Sequence, residues 1–88
     1  MSPELEKIRE DFQTETKKEK PDKEKVYTIL KEMWDEGEDG QRMILRSIVS
    51  LRQGYNQQQK PIIEGYIIPF CELNKIRLTK KLLYKYRY

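Results

Sequence analysis

The sequence contains no histidine and a single cysteine, Cys71. Histidine is the commonest general base near neutral pH and the commonest metal ligand in proteins. One cysteine alone makes neither an internal disulfide nor a zinc site. Glycine-rich phosphate-binding loops and the GxSxG nucleophile elbow are also missing. We therefore predict a protein that is not an enzyme, holds no cofactor or metal, and works in a reducing compartment.

Long apolar runs are missing as well. The most apolar stretch, residues 62–71, is broken by Glu64, Gly65 and Pro69, and a membrane span needs about 20 apolar residues. No apolar stretch follows a basic start, so no secretory signal is expected. We expect a protein of the cytoplasm or nucleus that is not secreted. The lack of alanine and the wealth of Lys, Glu, Ile and Tyr favour an AT-rich or viral source.

The acidic run at residues 35–40 was tested as a calcium-binding loop. An EF-hand that began at Asp35 would need a bidentate glutamate at its twelfth position, which here is Arg46. The run is therefore interpreted as a solvated turn whose acids cap the following helix.

The size and composition of the chain limit its core. Its 88 residues are 36% hydrophobic and 38% charged, against about 45–50% and 25% in ordinary globular domains. That supports one small core, and it leaves some part of the chain solvated or ordered only on a partner.

The N-terminal residues predict a helix with few anchors. Ser2-Pro3-Glu4 is a typical helix start, and Leu5, Ile8 and Phe12 then form a narrow apolar stripe. We interpret residues 1–21 as an acidic helix or arm followed by a charged linker, and residues 22–88 as the helical core domain. The stripe, together with Trp34, is predicted to contact a partner.

Two further helices have clear apolar periodicity. A helix over about residues 23–36 follows Pro21-Asp22 and ends at Gly37. Another, over about residues 41–53, ends at Gly54. Their inward positions are Val26, Ile29, Leu30, Met33, Ile44, Ile48 and Leu51, with Leu45 beside them.

Residues 62–78 allow two interpretations. The β-branched content suits a strand, but an isolated hairpin is a poor fold. We favour a buried helix interrupted at Gly65 or Pro69 and resumed through Phe70, Leu73 and Ile76. Cys71 is expected to pack as a small apolar side chain rather than to react. The predicted fold is all-α, a small bundle of four to five helices.

Charge is strongly segregated along the chain. Residues 1–40 hold 13 acidic and 8 basic side chains, net −5, and residues 41–88 hold 2 acidic and 10 basic ones, net +8. Such asymmetry indicates an interaction surface.

The C-terminal end predicts one more helix. Thr79 is a natural N-cap, and Leu78 and Leu83 occupy the positions of a hydrophobic staple. Leu82, Leu83 and Tyr86 share one face of this helix, which we expect to dock. The last two helices are expected to be arranged like a helix-turn-helix.

The remaining basic and aromatic positions form the predicted nucleic-acid site, in which cations neutralise phosphates and tyrosines stack on bases. They are Lys75, Arg77, Lys80, Lys81, Tyr84, Lys85, Arg87 and Tyr88, with Arg42 and Arg46 as a second surface. An alternative for the C-terminal cations is that they complement the helix dipole and keep the chain soluble. The alternative for the two arginines is pairing with the acids before them.

Two functions remain open at this point. The first is a small nucleic-acid-binding protein of the transcription or replication type. The second is a protein-interaction module, such as a small subunit, an adaptor or a viral or phage effector, that binds a larger protein machine or its own copy as a homodimer. The second is favoured by surplus apolar side chains such as Trp34, Ile62, Ile63 and Ile67.

Overall fold

The computed structural model describes residues 2–86, and these form helices and turns without a strand. The predicted all-α fold is confirmed. The elements in chain order are α1 (Pro3–Thr16), α2 (Lys23–Asp35), α3 (Glu38–Arg52), a 3₁₀ turn (Gln57–Gln59), α4 (Lys60–Ile62), a π turn (Ile63–Ile67), α5 (Ile68–Leu73) and α6 (Lys80–Lys85). Because α4, the π turn and α5 follow without a gap, they form one continuous helix, called the long helix below. The described residues therefore contain five helices.

The chain divides into two compact units, Met1–Gln41 (unit 1) and Arg42–Tyr88 (unit 2). The boundary that the sequence suggested, after residue 21, falls instead inside unit 1.

Unit 1 is built on the pairing of α1 with α2. The Ser2 hydroxyl accepts a hydrogen bond from the Leu5 N–H at 3.1 Å, which caps α1 as predicted. At this same end of the pair, the Ser2 hydroxyl donates to a carboxylate oxygen of Glu36, just after α2, at 3.4 Å. The start of α1 therefore lies near the end of α2, and the two helices run antiparallel.

The apolar stripe of α1 is a core feature rather than a docking surface. Leu5 and Ile8 are buried, whereas Phe12 and Trp34 are half-buried. The partner-contact role suggested for Leu5 and Ile8 therefore does not fit their positions. The residues of this stripe pack α1 against α2.

The charged linker after α1 is held by one carboxylate. Glu15 is only 4% exposed. One of its oxygens accepts the Asp22 N–H at 3.1 Å, and the other lies 3.0 Å from Lys18 Nζ and 3.6 Å from Lys25 Nζ. Asp22 in turn caps α2 by accepting the N–H groups of Glu24 and Lys25. Glu15 thereby fixes the path of the chain from α1 into α2.

The corner between α2 and α3 depends on two glycines. Gly37 has a φ of +96°, the left-handed conformation expected of it after a helix end. At Gly40, a Cβ atom would lie 1.8 Å from the Met33 carbonyl oxygen, so no larger residue fits without a backbone shift. Gln41 closes the corner by donating its side-chain amide to the Trp34 carbonyl at 3.3 Å.

The buried side chains of unit 2 come from α3, the long helix and the residue after α6. The apolar ones are Ile44, Leu45, Ile48, Val49, Ile63, Ile67, Phe70, Cys71 and Tyr86, and Ser50 is a buried polar residue. At the end of α3, Gly54 adopts a φ of +90°, the Gly54 N–H donates to Leu51 and the Tyr55 N–H donates to Ser50. These bonds form a Schellman motif, as the position of Gly54 predicted.

The expected interruption at Gly65 takes the form of a π turn, Ile63–Ile67, through which the helix continues without a break. The Ile68 N–H donates to the Ile63 carbonyl, five residues earlier. Pro69 follows this π turn directly, as the second residue of α5. Helix α5 ends at Leu73, which is 68% exposed rather than buried, and Ile76 lies beyond the helix.

Across residues 2–86, every helix falls short of the length and apolar content that a membrane crossing requires.

Candidate nucleic-acid interface

The basic segment, defined here as residues 75–85, begins at the end of α5. The Lys75 N–H donates to the Glu72 carbonyl at 3.2 Å, and the Ile76 N–H donates to the Cys71 carbonyl at 2.8 Å. This is a second Schellman motif, with Lys75 in the left-handed conformation at a φ of 57°. The motif turns the chain away from α5 and starts the extended residues that lead to α6.

Helix α6 begins at the cap that the sequence predicted. Thr79 is extended, with φ −75° and ψ 157°, and its hydroxyl accepts the Leu82 N–H at 3.2 Å. Tyr86 is 7% exposed, and Leu82 and Leu83 are half-buried. These three side chains, which the sequence predicted to dock, are thus less exposed than the opposite side of α6.

The outward residues of α6 are basic and aromatic. Lys80, Lys81, Tyr84 and Lys85 are all exposed, and Tyr84 is 68% exposed. At 3.6 residues per turn, the four positions fall within an arc of about 140°. The structure therefore brings together the α6 residues that the sequence assigned to the site.

Two more cations precede this helix. Lys75 and Arg77 are exposed on the connection between α5 and α6. The eleven residues of the basic segment hold five cations and no acid. The only acids of unit 2 are Glu64 and Glu72.

The cations of the basic segment are not used in ion pairs with the described carboxylates. Within residues 2–86, no carboxylate lies within 4.0 Å of the charged nitrogens of Lys75, Arg77, Lys80 or Lys81, whereas ion pairs are formed at Glu15 and Asp35 of unit 1. Lys85 lies over a ring instead, with its Nζ 5.5 Å from the centroid of Tyr86. The positive charge of the segment is thus not neutralised by the described protein.

The second predicted surface is less accessible. Arg42 is half-buried and Arg46 is exposed, both on α3, and each already makes an interaction within the protein. Arg87 and Tyr88 lie outside the described residues. The candidate interface is therefore centred on residues 75–85.

The arrangement differs from a helix-turn-helix. Six residues, 74–79, connect α5 to α6, whereas the motif uses a turn of about three to four. Helix α6 itself has six residues, about 9 Å at 1.5 Å per residue. The site is better described as a short basic helix preceded by a basic, non-helical connection.

Unit 2 also contains a shallow cleft of about 320 Å³. Its apolar walls are Ile48, Leu51 and Ile68, and Arg52 and Lys60 are at its rim. Ile48 and Leu51 belong to α3, whereas Lys60 and Ile68 belong to the long helix and lie before and after its π turn.

Cys71 shows no sign of a chemical role. It is fully buried, and burial, reinforced by the neighbouring charge of Glu72, raises its pKa to about 11. It is thus a neutral thiol at physiological pH, as expected of a packing residue. In the part of the chain that the structure describes, no three Cys, Asp or Glu side chains come together as a metal-binding group.

Two exposed apolar side chains escaped the sequence analysis. Tyr55 is 64% exposed and follows the Schellman glycine, and Leu73 ends α5. For Tyr55, the polar residues that follow it, Asn56 to Gln59, would have indicated an exposed position. For Leu73 the periodicity was misleading, because α5 stops before another turn can cover it.

Comparison of the chain with protein-family models, with curated proteins and with solved structures gave no match.

Proposed function

We propose that this protein binds nucleic acid through the basic segment, residues 75–85. The observation that supports the proposal is the presence of five exposed cations and one exposed tyrosine in eleven residues without an acid. The burial of Tyr86 and the partial burial of Leu82 and Leu83 support it further, because these side chains lie opposite the basic side of the helix.

Phosphate neutralisation supplies the physical basis. Lysine and arginine that contact phosphates release condensed counterions, and this makes binding strong at low salt and steeply weaker as salt rises. The acidic unit 1, net −5 over residues 1–40, contributes no attraction of this kind. Binding is therefore assigned to unit 2.

The test is an oligonucleotide titration followed by fluorescence anisotropy at about 50 and 200 mM salt. We expect binding by the wild type, and weaker binding with a shallower salt dependence in the double variant K80Q/K81Q. The logarithmic salt slope should fall by roughly 0.7–0.9 per phosphate contact removed.

The matched control is K17Q/K20Q, which makes the same change in net charge at two exposed lysines of unit 1. It should bind like the wild type. Absence of binding at about 50 mM salt, where phosphate contacts are strongest, or equal effects of the two double variants, would refute the proposal.

A second candidate function is a protein-interaction module. It is favoured by the 68% exposure of Leu73, a large apolar side chain at the end of α5. Sedimentation of the wild type and of Leu73→Ser tests its homodimer form. A concentration-dependent dimer that the substitution weakens would support it, whereas a monomer at all concentrations argues against self-association.

A further inference from the structure

Tyr84 lies on the same exposed side of α6 as three lysines. On α6 it lies one turn after Lys80, and such i, i+4 positions are neighbours on a helix surface. Lys81 and Lys85 form the adjacent row of the same exposed arc. The ring is 68% exposed although Tyr86, two residues later, is buried. Tyr84 makes an interaction within the protein, yet more than half of its surface is exposed.

An exposed aromatic ring can distinguish between forms of nucleic acid. In a duplex, the faces of the bases are covered by their stacked neighbours and only the base edges are accessible in the grooves. In a single strand the faces are open, and aromatic side chains stack on them without regard to sequence. A ring beside phosphate-binding cations is therefore suited to a single strand.

The rest of the segment lacks the features of a duplex reader. A helix-turn-helix uses a short turn to set a recognition helix in the major groove while its first helix crosses the backbone. Here the connection has six residues, and α6 is only about 9 Å long. Lys75 and Arg77, on the non-helical connection, instead extend the line of cations beyond the end of the helix.

We infer that the basic segment binds single-stranded nucleic acid, with Tyr84 as a stacking platform for a base and Lys80, Lys81 and Lys85 beside it for the phosphates. This inference rests on the proposed function and narrows its ligand to single-stranded DNA or RNA. Binding would show little sequence preference, because every base has a face on which the ring can stack.

The test compares three labelled probes of equal length, within the about 4–16 nucleotides that small single-strand-binding sites cover. They are an oligodeoxythymidylate, an oligouridylate and a blunt DNA duplex, each titrated with the full chain at about 50 mM salt. We expect the two single strands to bind more tightly than the duplex. The ratio of the two single-strand affinities identifies the preferred sugar.

Three variants separate stacking from other roles of the ring. Tyr84→Leu removes the aromatic face and should weaken single-strand binding by about 5- to 150-fold. Tyr84→Phe keeps the face and should bind like the wild type. Tyr55→Leu removes an equally exposed tyrosine outside the basic segment and should have no effect. An upfield shift of the Tyr84 ring protons on titration would show the stacked contact directly.

The possible failures are distinguishable. Duplex binding as tight as single-strand binding, or Tyr84→Leu binding like the wild type, overturns this inference and leaves the proposed function standing. A loss of binding in Tyr84→Phe also overturns it, because a hydroxyl contact to phosphate would then be responsible. If none of the three probes binds, the proposed function falls together with the inference. Circular dichroism of each variant shows that α6 and the remaining helices are retained.

Discussion

A carboxylate oxygen of Glu15 lies 3.1 Å from the main-chain nitrogen of Asp22 and accepts its hydrogen bond across the linker between α1 and α2. The other oxygen meets Lys18 and Lys25, so one side chain serves the backbone and two cations at once. The hydrogen bond from Asp22 is the main cause that lowers the pKa of Glu15, the Lys18 hydrogen bond acts in the same direction, and burial opposes them.

We predict that Glu15 stabilises the folded chain at neutral pH and ceases to do so in acid. A carboxyl group whose pKa is lowered on folding contributes stability above its unfolded pKa, and this is lost as the pH falls through the folded value. Glu15→Ala should lower the denaturation midpoint more than Glu15→Gln, whose amide oxygen still accepts the Asp22 N–H. Chemical denaturation at pH 7 and at progressively lower pH measures both differences.

The matched control for this prediction is Glu19→Gln, which neutralises an exposed acid of the same linker. Exposed charges contribute little, so its midpoint should follow that of the wild type at every pH. A Glu15→Gln variant whose deficit persists unchanged in acid would contradict the ionic role assigned to Glu15.

The glycine at position 40 gives a second prediction. Because a Cβ there would meet the Met33 carbonyl at 1.8 Å, Gly40→Ala must separate the end of α2 from the start of α3. Overpacking of this kind costs about 1–3 kcal/mol. We expect a lower midpoint in urea, measured by the loss of helical circular dichroism.

Gly65 provides the opposite case. It lies in the π turn, no atom is within 4 Å of a Cβ built there, and its backbone is not left-handed. Gly65→Ala should therefore raise stability by about 0.5–1 kcal/mol, since alanine loses less conformational freedom on folding than glycine does. If both substitutions destabilise equally, a general intolerance at these helices, and not the contact with Met33, would be responsible.

Local signals account for the parts of the fold that the sequence predicted. The caps at Ser2 and Thr79 and the left-handed glycines Gly37 and Gly54 depend on residues within a few positions, and all four are confirmed. The outer face of α6 followed from periodicity once Thr79 fixed its start. The exposed side of α6 was accordingly predictable residue by residue, and its binding role stays a prediction.

Features that depend on more distant packing were not predictable. Nothing in the order of residues marks Glu15 as buried among many exposed acids, because its partners become neighbours only when α1 and α2 pair. The sequence predicted an interruption at Gly65 or Pro69, but it did not indicate that a π turn would keep the helix continuous there. Leu73 matched the apolar period of α5, yet the helix ends there and leaves it exposed.

The buried thiol of Cys71 gives a prediction at alkaline pH. Its pKa is raised to about 11 by burial first and by Glu72 second, whereas an unfolded thiol ionises near pH 8.5. A raised pKa stabilises the fold below the unfolded value, and this contribution is lost as the pH rises through about 8.5–11. Stability should fall more steeply over this range in the wild type than in Cys71→Ala, where lysine and tyrosine titrations remain.

A thiol reagent at pH 8 should modify the native chain far more slowly than the denatured one, and fast native labelling would contradict the burial.

Lys75 has two roles, since its backbone forms the turn after α5 and its side chain is one of the cations of the proposed site. It occupies the left-handed position of its Schellman motif, as Gly54 does at the end of α3, but its side chain makes that conformation cost about 1–2 kcal/mol. Lys75→Gly should therefore be more stable than Lys75→Ala by about 1 kcal/mol, since the alanine variant retains the strain. Both variants lack the same cation, so they should lose oligonucleotide affinity equally. Equal stability of the two variants would show that position 75 is unstrained. Unequal affinity would show that the turn geometry, beyond the charge, contributes to binding.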